Sequence, residues 1–224
     1  MATFGTINIG LINPNTNAAT TRAMVSIAQR AVPALNIMGL TAQHGPMMIQ
    51  NRLALDASAT EVVRLGQSVQ ALQGLIVSAF GDPGVAQLSK DNPTPVVGIG
   101  GAAARLAARR GGALAVVTTT PKLADQIDML MQDQCGAARY LGCFLTVGDP
   151  EALMQDPEGL DAAMLAEIKR AAEAGASQVI IGGGPLGMAA ERLADRSPIP
   201  LINPIRAAAY EMEHRLCIVE KAST

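Results

Sequence analysis

Pro95-Val96-Val97-Gly98-Ile99-Gly100-Gly101-Ala102-Ala103-Ala104 sets itself without gaps against Pro200-Leu201-Ile202-Asn203-Pro204-Ile205-Arg206-Ala207-Ala208-Ala209. Proline opens both stretches and a triple alanine closes both. Working back along the chain, the match persists. The polar turn Asn13-Pro14-Asn15-Thr16 ends one apolar run, Thr118-Thr119-Thr120-Pro121 ends another, and each leads into a helical pattern. From Asn13 to Ala79 is 66 positions, and from Thr118 to Gly183 is 65. A further apolar run reaches Ser78-Ala79-Phe80-Gly81-Asp82-Pro83-Gly84 in the first case and Gly182-Gly183-Gly184-Pro185-Leu186-Gly187 in the second. Chance alignment of apolar segments in an alanine-rich chain is the competing explanation; a repeat of this length favours a duplicated supersecondary unit.

Between these landmarks the hydrophobic period switches back and forth from 2 to 3.6. Strands are expected at 7–12, 36–40, 74–77, 96–99, 113–117, 141–147, 179–181 and 201–202, as short apolar runs bounded by turn residues. Helices are expected at 18–31 and 159–174. Two more are marked by Val62, Leu65, Val69 and Leu72, and by Leu123, Ile127, Leu130 and Met131. The alternation predicts an α/β fold of two similar lobes related by a pseudo-twofold axis. Each lobe is a mainly parallel sheet flanked by helices, and an active-site cleft lies between them. The lobes divide at residues 1–100 plus 205–224 for the first and 101–204 for the second.

Composition agrees with that architecture. The 224 residues include two Tyr, three Phe and no Trp, although 49% are hydrophobic, so the core is aliphatic. The 17 basic and 19 acidic residues are scattered, leaving no basic stripe for a phosphate backbone, and nucleic acid is not an expected partner. No apolar run approaches a membrane span, and residues 1–12 lack the charged start and long apolar core of a signal peptide. A cytoplasmic protein is expected. Cys135, Cys143 and Cys217 are odd in number and widely spaced, which argues against a disulfide framework and for small buried hydrophobes. With only His44 and His214 beside them, no metal site is expected.

In open α/β sheets ligands bind beyond the carboxyl ends of the strands. Two facing lobes bring four such loops together: Asn13 and Thr16, and Ser78, from the first, with Thr118, Thr119 and the glycine run 182–184 from the second. Glycines let backbone N–H groups approach a carbonyl or anion closely, and helix N-termini favour negative charge there.

At these loops the chain resembles the aspartate/glutamate/hydantoin racemase superfamily, and most closely its hydantoin racemase branch. The residues that carry the resemblance are Leu11-Ile12-Asn13-Pro14-Asn15-Thr16, Gly45-Pro46, Phe80-Gly81-Asp82-Pro83-Gly84 and Val117-Thr118-Thr119. The resemblance implies an isomerase that uses no cofactor and acts on a small carboxylate or cyclic amide through an enolate-type intermediate, and a homo-oligomer is expected. It also implies two cysteines, one per lobe, exchanging a proton at the substrate from opposite faces. Here the chain departs from the pattern. Aligned through the quoted motifs, the first cysteine position is Ala79 and the second is Gly183, and neither side chain accepts a proton.

Three residues near these loops carry groups that could act instead. Ser78 precedes the vacated position but, on the opposite side of the chain, can equally face the core, and it needs a base beside it. His44 stands before Gly45-Pro46 as a proton carrier suited to neutral pH or as a loop-structuring histidine. Asp82 is read first as a cap on the helix that follows it. The expected substrate binders are Asn13, Pro14, Ala79, Phe80, Gly81, Thr118, Thr119, Gly183, Gly184 and Pro185. Arg105, Arg109 and Arg110 read as a solvated or interface face. Besides an isomerase, a decarboxylase or other lyase, a cyclic-amide hydrolase, and a catalytically silent binder or inactivated variant remain open.

Overall fold

A computed structural model describes residues 6–222. Residues 1–5, the leading part of the stretch read for a signal peptide, and residues 223–224, the end of the first lobe as drawn from the sequence, lie outside them. The described residues form two four-stranded parallel sheets of identical permutation. The first runs β2 (Leu35–Thr41), β1 (Ile7–Asn13), β3 (Gly74–Val77), β4 (Val96–Gly98). The second runs β6 (Arg139–Leu145), β5 (Ala113–Thr118), β7 (Gln178–Ile181), β8 (Leu201–Ile202).

Helices take up the intervening chain: α1 (Ala18–Ala31), α2 (Arg52–Ser68), α3 (Val85–Asp91), α4 (Ile99–Arg110), α5 (Ala124–Gln134), α6 (Pro150–Gln155), α7 (Pro157–Glu173), α8 (Gly187–Leu193) and α9 (Pro204–Ala222). Their starts are written locally. Asn17 accepts from the N–H groups of Ala19 and Thr20 to cap α1, and Asn51 accepts from Ala54 N to cap α2. Asp156 caps α7, with Pro157 at its first position, where a missing N–H costs nothing.

Strand pairing makes the duplication concrete. Ile12 is paired with Val77 across β1 and β3, and Val117 with Ile181 across β5 and β7, so Asn13 answers Thr118 and Ala79 answers Gly183. Loop hydrogen bonds repeat as well. Ala42 N donates to Asn13 O as Thr146 N does to Thr118 O, and Asp82 N donates to Ala79 O as Leu186 N does to Gly183 O. Every residue of β3 and of β7 is buried, as expected of strands covered on both faces. A central core joins the two sheets through α1, α4, α5 and α9, with Ile9, Ile76 and Val97 from one side and Val116, Ile180 and Ile202 from the other. Outer cores lie under α2 and α3 on the first sheet and under α7 and α8 on the second.

Some boundaries differ from the sequence reading. The helix marked by Val62 and Leu65 ends at Ser68; Val69 is already extended, and Ala71 turns through a φ of 62° to bring Leu72 under the sheet rather than along the helix. The 3₁₀ turn Pro121–Leu123 precedes α5, so Leu123 enters before the α-helix proper. β6 spans Arg139–Leu145, leaving Thr146 and Val147 in the loop beyond it. Of the cysteines, Cys135 is buried, Cys143 is partly so and Cys217 is exposed, which corrects their common reading as buried hydrophobes. Arg105 is partly buried, and its guanidinium donates to both carboxylate oxygens of Glu211 on α9, at 3.1 and 2.8 Å. Among the described residues no helix is long and apolar enough to cross a membrane, and no cluster of His, Cys, Asp or Glu is arranged to hold a metal ion.

Candidate active site

A cavity of about 50 Å³ opens where the strand-end loops of the two lobes meet. That volume holds a few water-sized groups. Ser78, Ala79 and Phe80 line it from the first lobe, and Thr118, Thr119, Gly184 and Pro185 from the second. Asn13, Pro14, Gly81 and Gly183 stand outside the lining. Residues not singled out from sequence also line it, notably Asn15, Met48, Ile49 and Leu55 from the first lobe and Thr120 and Leu186 from the second. Thr120 was within reach, in the Thr118-Thr119-Thr120 run. Met48 and Ile49 sit in a loop without periodicity, where no sequence signal marks them.

Backbone approach explains one glycine. A Cβ at position 184 would stand 2.4 Å from the carbonyl oxygen of Ser78 and 2.8 Å from the Met24 sulfur, so the lobes touch here because residue 184 has no side chain. Position 183 is different: the nearest atoms to a Cβ belong to the Leu186 side chain at 3.2 Å, which can shift.

The polar groups divide sharply by lobe. Asn13 is buried and fully engaged, donating from Nδ2 to Asn15 Oδ1 at 2.9 Å and Thr21 Oγ1 at 2.9 Å, and accepting at Oδ1 from Asn15 N. Ser78 is buried too, and its hydroxyl donates to Ile12 O at 2.7 Å. In the second lobe, where Gly182 stands at the position of Ser78, the bond between the two strand ends runs the other way, the Thr118 hydroxyl donating to Gly182 O at 2.8 Å. Thr119 is the exception: it is 1% exposed, it lines the cavity, and its Oγ1 has no hydrogen-bond partner among the described residues. An unsatisfied buried hydroxyl costs about 1–3 kcal/mol, a cost that a ligand atom can remove.

Asp82 lies behind the loop rather than in the cavity. Its carboxylate accepts from Gly100 N at 2.8 Å and Gly101 N at 2.7 Å, capping α4. The helix that follows it, α3, starts instead from Gly84, which corrects the reading of Asp82 as its cap. Loss of hydration pushes the Asp82 carboxyl up to about 6, against the pull of those two N–H groups and of Arg105. His44 is exposed and does not line the cavity. Cys143 stands on β6 beside Tyr140, whose hydroxyl donates to Asp128, and burial pushes its thiol up to about 12. Among the described residues, therefore, no Asp, Glu, His, Cys, Lys or Tyr lines the cavity.

The profile of the Asp/Glu/Hydantoin racemase family matches residues 9–212. A hydantoin racemase of Paenarthrobacter aurescens is 26% identical over 217 residues, which span 92% of this chain and 90% of that protein. Among solved structures, the allantoin racemase from Klebsiella pneumoniae superposes with a TM-score of 0.86 at 24% identity, over 95% of this chain and 89% of that one. The allantoin racemase from Pseudomonas fluorescens gives 0.81 at 25% identity, over 94% and 91%. The permuted sheets, the paired strand-end loops and a match that runs nearly from end to end agree: this chain belongs to the Asp/Glu/hydantoin racemase family.

Proposed function

We propose that the cavity binds a small hydantoin-like or amino-acid-derived substrate and favours its enolate-type form without a cofactor, while the two-cysteine proton exchange of a racemase is absent. The observation that carries the binding half is the Thr119 hydroxyl, buried at the cavity without a partner. Relatives named for hydantoin and allantoin racemisation supply the ligand class, a cyclic amide whose carbonyl oxygens can accept from such a hydroxyl. The chemical half rests on the lining. With alanine at 79 and glycine at 183, and with His44 and Asp82 outside the cavity, no side chain there is suited to carry a proton at neutral pH. Ser78 spends its hydroxyl proton on Ile12 O and has no base beside it in the lining.

That same lack supports a second reading, a lyase in which a carboxylate substrate loses CO₂. The departing group then leaves its electron pair behind, and no protein base is needed to form the enolate.

Calorimetric titration with hydantoin tests the binding half. Thr119→Val, which keeps the shape and removes the hydroxyl, is expected to weaken binding about tenfold. Unchanged affinity in that variant, or no binding by the unmodified protein, would refute the reading.

A further inference from the structure

The wall that the first lobe gives to the cavity is fastened from behind. Ala79 and Phe80 line the cavity, and Asp82 N donates to Ala79 O at 3.1 Å to close their turn. Asp82 itself holds a φ of 51°, a left-handed conformation that a residue with a Cβ keeps when its surroundings impose it. Its side chain supplies that constraint. The two carboxyl oxygens accept from Gly100 N at 2.8 Å and Gly101 N at 2.7 Å, at the first turn of α4. In the second lobe Leu186 stands at the position of Asp82 and lines the cavity itself, so the matching wall has no such anchor.

Both groups that meet the carboxyl are donors. Ionised, Asp82 accepts from the two N–H groups at once. Protonated, the oxygen that carries the hydrogen faces a donor, so one of the two bonds is lost and the turn keeps half of its anchor. The charged groups that act on this carboxyl are Arg105 of α4 and Glu211 of α9, and Glu211 is in turn shared between Arg105 and Arg215. The side chains that α2 and α5 bring closest to the same turn and seat are uncharged: Leu55 and Val62 from α2, and Leu130 and Gln134 from α5. Burial is what brings the loss of the proton up to about 6, within the range in which the protein can be handled folded.

We propose that Asp82 is a positioning residue, whose ionised carboxyl anchors the Ala79–Phe80 wall to α4 in its ligand-binding shape and whose protonation releases that wall, so that the cavity binds its ligand more weakly in acid. The proposal rests on the reading of the cavity as a ligand site. By reciprocity, a bound ligand holds Asp82 ionised to lower pH.

Two measurements test it. In the ligand-free protein, an NMR titration follows the Gly100 and Gly101 amide protons, which report the carboxyl, and the Ala79 methyl group, which reports the wall. All three are expected to shift with one midpoint near 6, and the Ala79 methyl shift is expected to vanish in Asp82→Asn, whose amide accepts from one N–H at a time. Glycine amides that titrate beside an Ala79 methyl that does not move would overturn the proposal, a result that needs no variant and no ligand. In calorimetry, hydantoin is expected to bind the unmodified protein about fivefold more weakly at about pH 5 than at about pH 7.5, and to bind Asp82→Asn at the weaker value throughout. Binding that is indifferent to pH in the unmodified protein, or a pH dependence that survives in Asp82→Asn, would overturn the positioning role and leave the cavity reading standing. Hydantoin that binds at neither pH overturns the cavity reading, and the positioning role with it, even where the Ala79 methyl follows the carboxyl.

Discussion

The two lobes repeat one strand order and one set of loop hydrogen bonds, yet their strand ends are finished differently. At the end of β1, Asn13, Asn15, Asn17 and Thr21 hydrogen-bond one another into a closed network. At the end of β5, Thr118 secures Gly182, but the buried Thr119 and Thr146 hydroxyls have no partner among the described residues. Helix starts differ in the same spirit. Asn203 caps α9 from its own position, accepting from Ile205 N at 3.1 Å, whereas the matching position in the first lobe is Gly98, and Asp82 reaches across to cap α4 in its place. A Cβ at 98 would stand 2.2 Å from the Asp82 carboxyl carbon, so the glycine is what admits that carboxylate. The frame is repeated, but the polar side chains at the first lobe's strand end are paired with one another, whereas two buried hydroxyls at the second lobe's are not.

Substitutions at matched positions can break this contrast. The largest effect is expected at Asn13. Asn13→Leu removes the side chain that joins Asn15, Asn17 and Thr21 and puts a branched apolar group into their buried polar setting, and it should cost about 3–5 kcal/mol in denaturant unfolding. A cost below that of Thr118→Val would contradict the assignment of the closed network to the first lobe.

Asp82 comes next, through pH. Its folded carboxyl titrates near 6, above the ordinary range, so the fold favours the protonated form. The contribution is fully present below about pH 4 and is lost as pH rises through about 6. The stability of the unmodified protein relative to Asp82→Asn should therefore fall by ~1–2 kcal/mol between pH 4 and pH 6.5. Parallel pH profiles for the two proteins would show that the carboxyl is not held in this way.

Adjacent threonines sharpen the contrast at the smallest scale. Thr118→Val removes the hydroxyl that secures Gly182 O and should cost about 1–2 kcal/mol. Thr119→Val removes a buried hydroxyl that secures nothing, and the variant should be at least as stable as the unmodified protein, with a gain of up to about 1–3 kcal/mol. Equal costs at the two positions would mean that Thr119 serves the fold and not a ligand.

Much of the frame was legible in the sequence because period and punctuation act locally. The run from Pro95 to Ala104 and its match from Pro200 to Ala209 became β4 with α4 and β8 with α9. The 66- and 65-position spacings became the register of β1 with β3 and of β5 with β7. The cavity was legible only in part. Thr119 and Gly184 could be named because they end strands, but whether a hydroxyl finds a partner depends on tertiary neighbours. Met48 and Ile49 reach the cavity from a loop without periodicity, a placement that no local pattern encodes. Asp82 read as a local cap because the sequence shows proline and glycine next to it, while its true partners lie 18 and 19 positions away.

The central claim is that the binding shell is present and the proton carriers are missing. Its most direct test is deuterium incorporation at the ring carbon between nitrogen and carbonyl of a substituted hydantoin in heavy water, for the unmodified protein and for Ala79→Cys with Gly183→Cys. The atoms nearest a Cβ at position 183 belong to the Leu186 side chain, which can shift, and Ala79 lines the cavity. The account predicts exchange no faster than buffer for the unmodified protein and a gain of about 10² or more for the double variant. Exchange at ordinary enzyme rates by the unmodified protein, or a folded double variant that binds the hydantoin and exchanges nothing, would contradict it.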